Sequence, residues 1–523
     1  MSSKNLIFLY GPPLVGKSTL GRAYAQWMDL PYYDVDSLIE SRVEMSIKDI
    51  FSSQGEPRFR EWEYQVLEEL CAEELGVIAL GGGALTQPAA RKLVEDHGEV
   101  VLLEASLQRL IERLEEDQTK RPLLGDSAEE GLKRLLEQRK NHYQSFSKKI
   151  FSDHLGERDQ LQKLEVLLGL FNVKGMGSDY QVRLKAGSLD EVGKEICRRN
   201  LSGPVVVVTD ENVGDLYSGR VLASLEDAGY RSSLISIQPG ENSKTMDTVQ
   251  EVWRQFLLSD VERGSTVVSL GGGVVGDLTG FAAATYYRGV NWVNIPTSLL
   301  AMVDAGIGGK TGVDLPQGKN LVGAFHPPRL VLIDPDLLQT LPDIELHNGM
   351  VEVIKHGMIS DPKLFTMIAK GKGSLQKNRD EILRRAVAVK IIIIRTDPYD
   401  RDLRQTLNFG HTLGHAVELA SGFRLRHGES IAIGMTAETY LAEQLGMAAS
   451  GLTGKLTDVL QSWELPVKLP SNLPKKTIWE AVKRDKKKLD GRLRFALPVA
   501  VGQVKAGIEV EDSNWKSALD YVK

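Results

Sequence analysis

A glycine-rich loop clamped between a strand and a helix constrains this chain more than any other feature. NLIFLY (5–10) reads as a short buried strand, and residues 17–28 carry the spacing of a helix. Between them GPPLVGKS (11–18) fits G-x-x-x-x-G-K-[ST] in the strand–turn–helix setting that the pattern requires. Backbone N–H groups and the start of a helix can then surround a polyphosphate. Gly11 and Gly16 shape the loop, and Thr19 follows in the first helical turn. Lys17 supplies a point charge for the outer phosphates, while Ser18 can ligate Mg2+. The alternation continues through VIAL (77–80), VVLLE (100–104) and helices to about Tyr143. That order predicts a parallel sheet covered on both faces.

NVKGMGSD (172–179) is rich in Gly and Ser and reads as a boundary, after which the alternation restarts. PVVVVTD (204–210), SSLISI (232–237), STVVSLGGG (265–273), NWVNIPT (291–297) and LVLID (330–334) are β-rich runs. Beyond Pro335 the pattern turns helical, over 343–358, 378–397, 403–420 and 428–445. The 523 residues, at about 150 per domain, fit three or four domains. The expected division is an N-terminal P-loop domain (1–172), an α/β dinucleotide-binding domain (179–335) and a mainly helical metal-binding domain (336–523).

Composition removes several classes. A net charge of −6 gives no bulk attraction to nucleic acid or acidic lipid. No apolar run reaches the roughly 18–20 residues that cross a bilayer. Cys71 and Cys197 form no disulfide framework and fit a reducing compartment, so a cytoplasmic enzyme is expected. The apolar N-terminal stretch lacks a small-residue cleavage site and runs directly into the phosphate loop.

The chemistry-bearing residues fall into two sets. In the first, Asp34 and Asp36 stand two apart at the end of PYYDVD, where an extended chain points them to opposite sides. One can hold a metal's water shell while the other orients a hydroxyl. GEPRFREWE (55–63), GGG (81–83), RPL (121–123), and Arg139 with Tyr143 follow. These motifs, in this order, resemble shikimate kinase over about residues 1–170. The resemblance implies that Asp36 activates the shikimate hydroxyl and that Arg60 and Arg139 clamp its carboxylate. It further implies that Gly81, Gly82 and Gly83 line the ring, that Arg121 closes over the phosphates, and that Asp34 serves the Mg2+ site. Leu14 departs from the pattern, since the family carries glycine there. A weakened kinase is the alternative.

In the second set, GGGVVG (271–276) satisfies G-x-G-x-x-G after a strand, with Asp277 behind it. TDENV supplies Asp210 and Asn212, and PGENSK supplies Glu241 and Lys244. Five of the nine histidines fall between 347 and 427. Glu352/His356 and His411/His415 are i,i+4 pairs on expected helices, so each shares a face. A Zn2+-like site with an open position is plausible, although spacing leaves its ligands open. Arg288, Lys310, Lys319, Lys355, Lys390 and Arg404 lie among the same segments and would suit a phosphorylated, carboxylated substrate.

GGGVVGDLTGFAA, YYRG, IPTSLLAMVDAGIGGKTGVD, KNLVGAFH, EVIKHG, NFGHTLGHAVE, HGE and a late DKK resemble 3-dehydroquinate synthase over roughly 179–515. The resemblance implies that Glu352, His411 and His427 ligate Zn2+ or Co2+, with His415 in a phosphate pocket. It implies NAD+ against Asp210, Asn212, Glu241, Lys244, Gly273, Asp277, Thr297, Ser298, Lys310, Lys319 and Thr340. Substrate would meet Arg288, Asp304, Lys310, Asn320, Lys355, Lys390, Arg404, Asn408 and a lysine of DKK, Lys486. The implied reaction is a transient oxidation that acidifies a neighbouring C–H, β-elimination of phosphate, reduction back, ring opening and aldol closure. The implied pair of activities uses ATP with Mg2+ on shikimate and NAD+ with a divalent ion on a heptulosonate phosphate. A homodimer is also implied. A related sugar-phosphate cyclase and a metal-dependent polyol dehydrogenase are the alternatives for the second half.

Overall fold

The computed structural model describes residues 5–116, 128–400, 402–488 and 493–523. The chain forms two compact units, Met1–Leu168 and Gly169–Lys523.

The first unit is built on five strands in the order Tyr32–Asp34, Leu75–Ala79, Asn5–Tyr10, Gly98–Glu104 and Lys149–Phe151, every neighbouring pair parallel. Leu6, Phe8 and Tyr10 are fully buried in the central strand, as a sheet covered on both faces demands. Because the strands are parallel, their C-terminal ends lie along one edge. That edge gathers the phosphate loop, Asp34 and the glycine triplet. The helix Lys17–Met28 starts directly from Gly16, whose φ of 99° turns the chain out of the loop.

In the second unit seven strands run in the order Leu170–Val173, Tyr180–Leu184, Leu330–Ile333, Asn291–Pro296, Thr266–Gly271, Val205–Asp210 and Ser232–Ile237. Only the first pair is antiparallel. Val205 to Val208 are wholly buried, which explains a β-branched run without polar alternation. The boundary expected at 172 is displaced. Leu170–Val173 pairs with Tyr180–Leu184, so the Gly/Ser-rich stretch is the turn of a hairpin inside the second unit.

The helical half holds Asp343–Ser360, Lys372–Thr396, His411–Ala420, His427–Gln444, Leu452–Ser462, Lys475–Lys488 and Asp512–Tyr521. The helix expected over 403–420 is broken. A 3-10 turn, Leu403–Asn408, ends before Gly410 at φ 82°, and the helix begins at His411. Two antiparallel hairpins escaped the sequence reading, Lys310–Leu315 with Gly318–Phe325 and Arg494–Ala500 with Gln503–Glu509. Among the described residues, no helix is long and apolar enough to cross a membrane.

The helices His411–Ala420 and His427–Gln444 touch backbone to backbone. A Cβ on Gly434 would lie 2.0 Å from the Gly410 carbonyl oxygen and 2.6 Å from the Gly414 nitrogen. Overpacking of this kind costs about 1–3 kcal/mol or more, because rigid backbone must shift. Gly434→Ala should therefore lower the denaturant midpoint of the second unit, read by urea titration of the full chain. An unchanged midpoint would show that the two helices part freely.

Candidate active sites

In the first unit the Lys17 ammonium donates to the carbonyl oxygens of Gly11 (3.0 Å) and Pro12 (2.9 Å), so it lies within the loop. Ser18 Oγ donates to Asp34 Oδ2 at 2.8 Å, and Tyr32 Oη donates to the same oxygen at 3.1 Å. The hydroxyl that can ligate Mg2+ is thereby paired with a carboxylate able to hold its water shell. The two aspartates separate differently from the extended-chain expectation. The strand ends at Asp34, which caps the helix Val35–Val43, and Asp36 sits in that helix's first turn. Asp36 still faces elsewhere, with Oδ1 3.1 Å from where a Cβ on Gly81 would stand.

The glycine triplet is a steric requirement. A Cβ on Gly83 would lie 2.2 Å from Arg60 Nη2 and 3.0 Å from Arg139 Nη2, and one on Gly81 2.6 Å from Glu63 Oε1. Arg139 Nη1 and Tyr143 Oη both donate to the Gly82 carbonyl oxygen, at 2.7 and 3.0 Å. Two guanidinium groups therefore converge over bare backbone beside Asp36, a cradle for a small carboxylated alcohol. Thr19 is exposed in the first helical turn, and Arg121 lies outside the described residues. Leu14 adopts φ 67°, and its carbonyl oxygen accepts from Arg113 Nη1 at 2.9 Å.

Sequence reasoning quoted Glu63 within a motif but gave it no task. Its carboxylate pairs with Arg60 Nη1 at 2.6 Å. Burial pushes the carboxyl up, against Arg60, to about 7. Arg60 also meets Glu56 at 2.9 Å, so below that pH a neutral Glu63 leaves a larger share of the Arg60 charge for an acceptor's carboxylate, and above it an ionised Glu63 competes for that share. The KM for a carboxylated acceptor should rise as pH increases through 7, and Glu63→Gln should flatten that step. A step that persists in E63Q would assign it to another group.

In the second unit the dinucleotide candidates gather at the C-terminal edge of the seven-stranded sheet. Asp210 caps the helix Glu211–Asp227 by accepting from the Val213 N–H, and Asn212 lies in that helix's first turn. Gly273 opens the helix Gly273–Thr285, and Thr297 N–H donates to the Gly271 carbonyl, setting Thr297 and Ser298 beside the loop. Lys244, almost wholly buried, joins Asp277 Oδ2 and Asn320 Oδ1, each at 2.6 Å. Burial raises the Asp277 carboxyl despite Lys244. Burial also raises Glu241, which stands 3.9 Å from Lys319. Thr340 shares a hydrogen bond with Tyr217 of the helix Glu211–Asp227.

The buried helix Asp343–Ser360 carries Glu352 and Lys355 as an ion pair with almost no exposure. Glu352 Oε1 stands 3.8 Å from His411 Nε2 and 3.7 Å from His427 Nε2, too far for hydrogen bonds. Ligand atoms around a tetrahedral ion with bonds of about 2.0–2.2 Å are separated by roughly 3.3–3.6 Å. The other ring nitrogens face oxygens, with His411 Nδ1 3.1 Å from the Phe409 carbonyl and His427 Nδ1 3.5 Å from Glu418 Oε2. Two imidazoles oriented by acceptors behind them and one buried carboxylate fit a divalent cation. Burial, reinforced by Lys355, holds His411 well below the usual imidazole range. His427 is the opposite case, where burial is outweighed by Glu352 and Glu418 and the imidazole rises to about 9.

Around these ligands, Lys390 donates to Asp304 Oδ1 (2.5 Å), and although burial opposes its charge, Asp304 falls to about 2. Lys310 pairs with Asp400 at 2.7 Å. Asp400 is a further residue that sequence reasoning passed over. Arg404, buried, donates to the Pro398 carbonyl. Asn408, His411, His415, Arg494 and Phe495 line a cleft beside the candidate ion site, with the second hairpin as one wall. Glu438 accepts from the N–H groups of Gly410 (2.7 Å) and Leu413 (3.0 Å), so a buried carboxylate anchors the start of the His411 helix.

Arg288 is exposed beyond the C-terminal end of the helix Gly273–Thr285, whose 13 residues carry the chain about 20 Å from the glycine loop. Within one chain it does not reach this site. His347 faces Glu464 at 3.6 Å, and His356 is buried beside Asp304 and Glu352. Lys486 lies on the helix Lys475–Lys488, and its side chain is outside the described residues.

Fold and geometry define the class: a P-loop phosphotransferase followed by a nucleotide- and metal-dependent enzyme on an α/β-plus-helical scaffold. The shikimate kinase family model matches residues 14–166, and the models for the N-terminal and C-terminal parts of 3-dehydroquinate synthase match 234–348 and 349–488. The 3-dehydroquinate synthase of Nostoc punctiforme is 42% identical over 351 residues, which are 66% of this chain and 97% of that protein. The enzyme of Symbiobacterium thermophilum is 43% identical over 332 residues, 62% of this chain and 92% of its own. A solved 2-epi-5-epi-valiolone synthase from Streptomyces hygroscopicus, with NAD+ and Zn2+ bound, is similar at 32% identity and a TM-score of 0.60. That likeness covers 66% of this chain and 96% of the other. The chain belongs to the 3-dehydroquinate synthase family and carries a shikimate kinase domain ahead of it, which makes it a bifunctional shikimate-pathway enzyme.

Proposed function

We propose that the first unit phosphorylates the 3-hydroxyl of shikimate from ATP, and that the second converts 3-deoxy-D-arabino-heptulosonate 7-phosphate to 3-dehydroquinate with release of phosphate. The convergence of Glu352, His411 and His427 within 4.8 Å carries the second reading most directly.

In the kinase, Lys17 and the loop N–H groups would hold the β- and γ-phosphates, and Ser18 with Asp34 would hold Mg2+. Arg60 and Arg139 fix the acceptor's carboxylate over Gly83, so that its hydroxyl meets Asp36, which accepts the proton. Arg121 would close over the phosphates. Leu14 leaves Lys17 and Ser18 in place, which supports an active kinase.

In the synthase, Glu352, His411 and His427 would hold Zn2+ or Co2+, and Asp210, Asn212, Glu241, Lys244, Gly273, Asp277, Thr297, Ser298, Lys319 and Thr340 would hold NAD+. When bound, the nucleotide supplies reversible oxidation of an alcohol carbon and the ion supplies Lewis acidity at its oxygen. Lys310, Lys355, Lys390, Arg404 and Lys486 give the substrate's two anionic ends their counter-charges. Asp304, held ionised by Lys390, with Asn320 and Asn408 orients the hydroxyls, and His415 faces the phosphate. A cytoplasmic homodimer is part of the same reading. Leu321 and Phe325 are exposed four residues apart on the strand Gly318–Phe325, and Phe325 packs on exposed Tyr399, an apolar strip suited to a second copy.

One purified chain should catalyse both reactions. Lys17→Ala should lower shikimate-dependent ATP turnover at least about 100-fold and spare phosphate release from the heptulosonate. His411→Ala or chelation should do the reverse. Phosphate should appear without net absorbance from NADH. Accumulating NADH would support a dehydrogenase instead, and ATP turnover indifferent to shikimate would sink the kinase assignment.

A further inference from the structure

His411, His415 and Glu418 stand at i, i+4 and i+7 on the helix His411–Ala420, so all three share one face. The first belongs to the ion site proposed above and the second to its cleft. Glu418 is assigned nothing by either, yet it is mostly buried and uses its two oxygens on different partners. Oε2 faces His427 Nδ1 at 3.5 Å, and Oε1 meets Lys319 Nζ at 3.3 Å. Lys319 comes from the hairpin Gly318–Phe325 of the nucleotide-binding half and also lies over the Phe423 ring, 4.6 Å from its centre.

A neutral imidazole has one N–H and one lone pair, and the acceptor behind the ring decides which nitrogen keeps the proton. At His411 that acceptor is the Phe409 backbone carbonyl, which no side-chain substitution removes. At His427, the first residue of its helix, a side-chain carboxylate stands in this place. We propose that Glu418 is the positioning residue of the ion site: it holds the His427 proton on Nδ1 so that Nε2 faces Glu352 and the ion, and Lys319 fixes Glu418 in turn. The inference rests on the reading of Glu352, His411 and His427 as ligands. It makes the hairpin lysine a remote determinant of ion affinity.

The test uses the full chain stripped of metal, with Zn2+ affinity measured by competition against a chromophoric chelator in the absence of NAD+. Loss of an outer partner of a ligating histidine typically weakens binding 10–100-fold, and that loss is expected for Glu418→Gln and Glu418→Ala. Glu418→Asp should recover part of it. Lys319→Met should give a smaller loss, and E418A/K319M should be no weaker than E418A alone, because the lysine acts only through the carboxylate. The visible spectrum of the Co2+-loaded chain should shift in E418Q, with far-ultraviolet dichroism unchanged.

Wild-type affinity in both E418A and E418Q would overturn the proposal, as would losses that multiply in the double variant. Two equivalents of Zn2+ per chain, one of them lost in E418A, would make Glu418 a ligand and also overturn it. Failure of the wild-type chain to bind Zn2+ would instead remove the ion site itself.

Discussion

The second unit is organised around a carboxylate with no access to water. Glu352 is fully buried, and an ionised carboxylate there is tenable only among compensating charges. Lys355 supplies one from the next turn of the same helix, and His411 and His427 approach from two others. Although burial opposes its charge, these groups hold Glu352 well below the ordinary carboxylate range. The close helix crossing at Gly434, the Glu438 anchor and the break at Gly410 all serve to bring those imidazoles to one buried oxygen. A site built this way is preorganised, because the charge cannot relax into solvent when the ion leaves.

The kinase unit solves a related problem with less burial. Its anchors stand at the ends of parallel strands, and a bare glycine triplet gives two arginines room to converge beside Asp36. Glu63 and Glu56 both pair with the Arg60 guanidinium, and Glu63 is the buried partner of the two.

What could be read from the sequence follows the range of each signal. Strand–glycine–helix motifs are local, so the phosphate loop, the dinucleotide loop and the sheet class were legible. Helical spacing put His411 and His415 on one face, and the family motifs singled out Glu352, His411 and His427. Pairings between distant segments left no local trace. Lys244 bridging Asp277 and Asn320, Glu438 capping another helix, and Lys310 meeting Asp400 become visible only when the chain is folded. The hairpins were missed because no Asn-Gly or Asp-Gly turn stands between their strands. Arg288 was placed at the site through the motif YYRG, and a helix of 13 residues carries the chain before it to the other edge of the sheet.

The glycine- and serine-rich stretch near residue 175 reads as a domain boundary and is the bend of a hairpin. The first helix-rich unit ends at Leu168, and by Leu170 the chain is already pairing with Tyr180–Leu184. Severing the polypeptide at its most flexible-looking point would leave Tyr180–Leu184 with one side of its backbone hydrogen-bonding groups bare. An exposed row of that kind invites strand addition from a neighbouring molecule. The edge strand is thus a sealing strip for the larger sheet, and the seam between the two enzymes lies at Gly169, a few residues before the composition announces it.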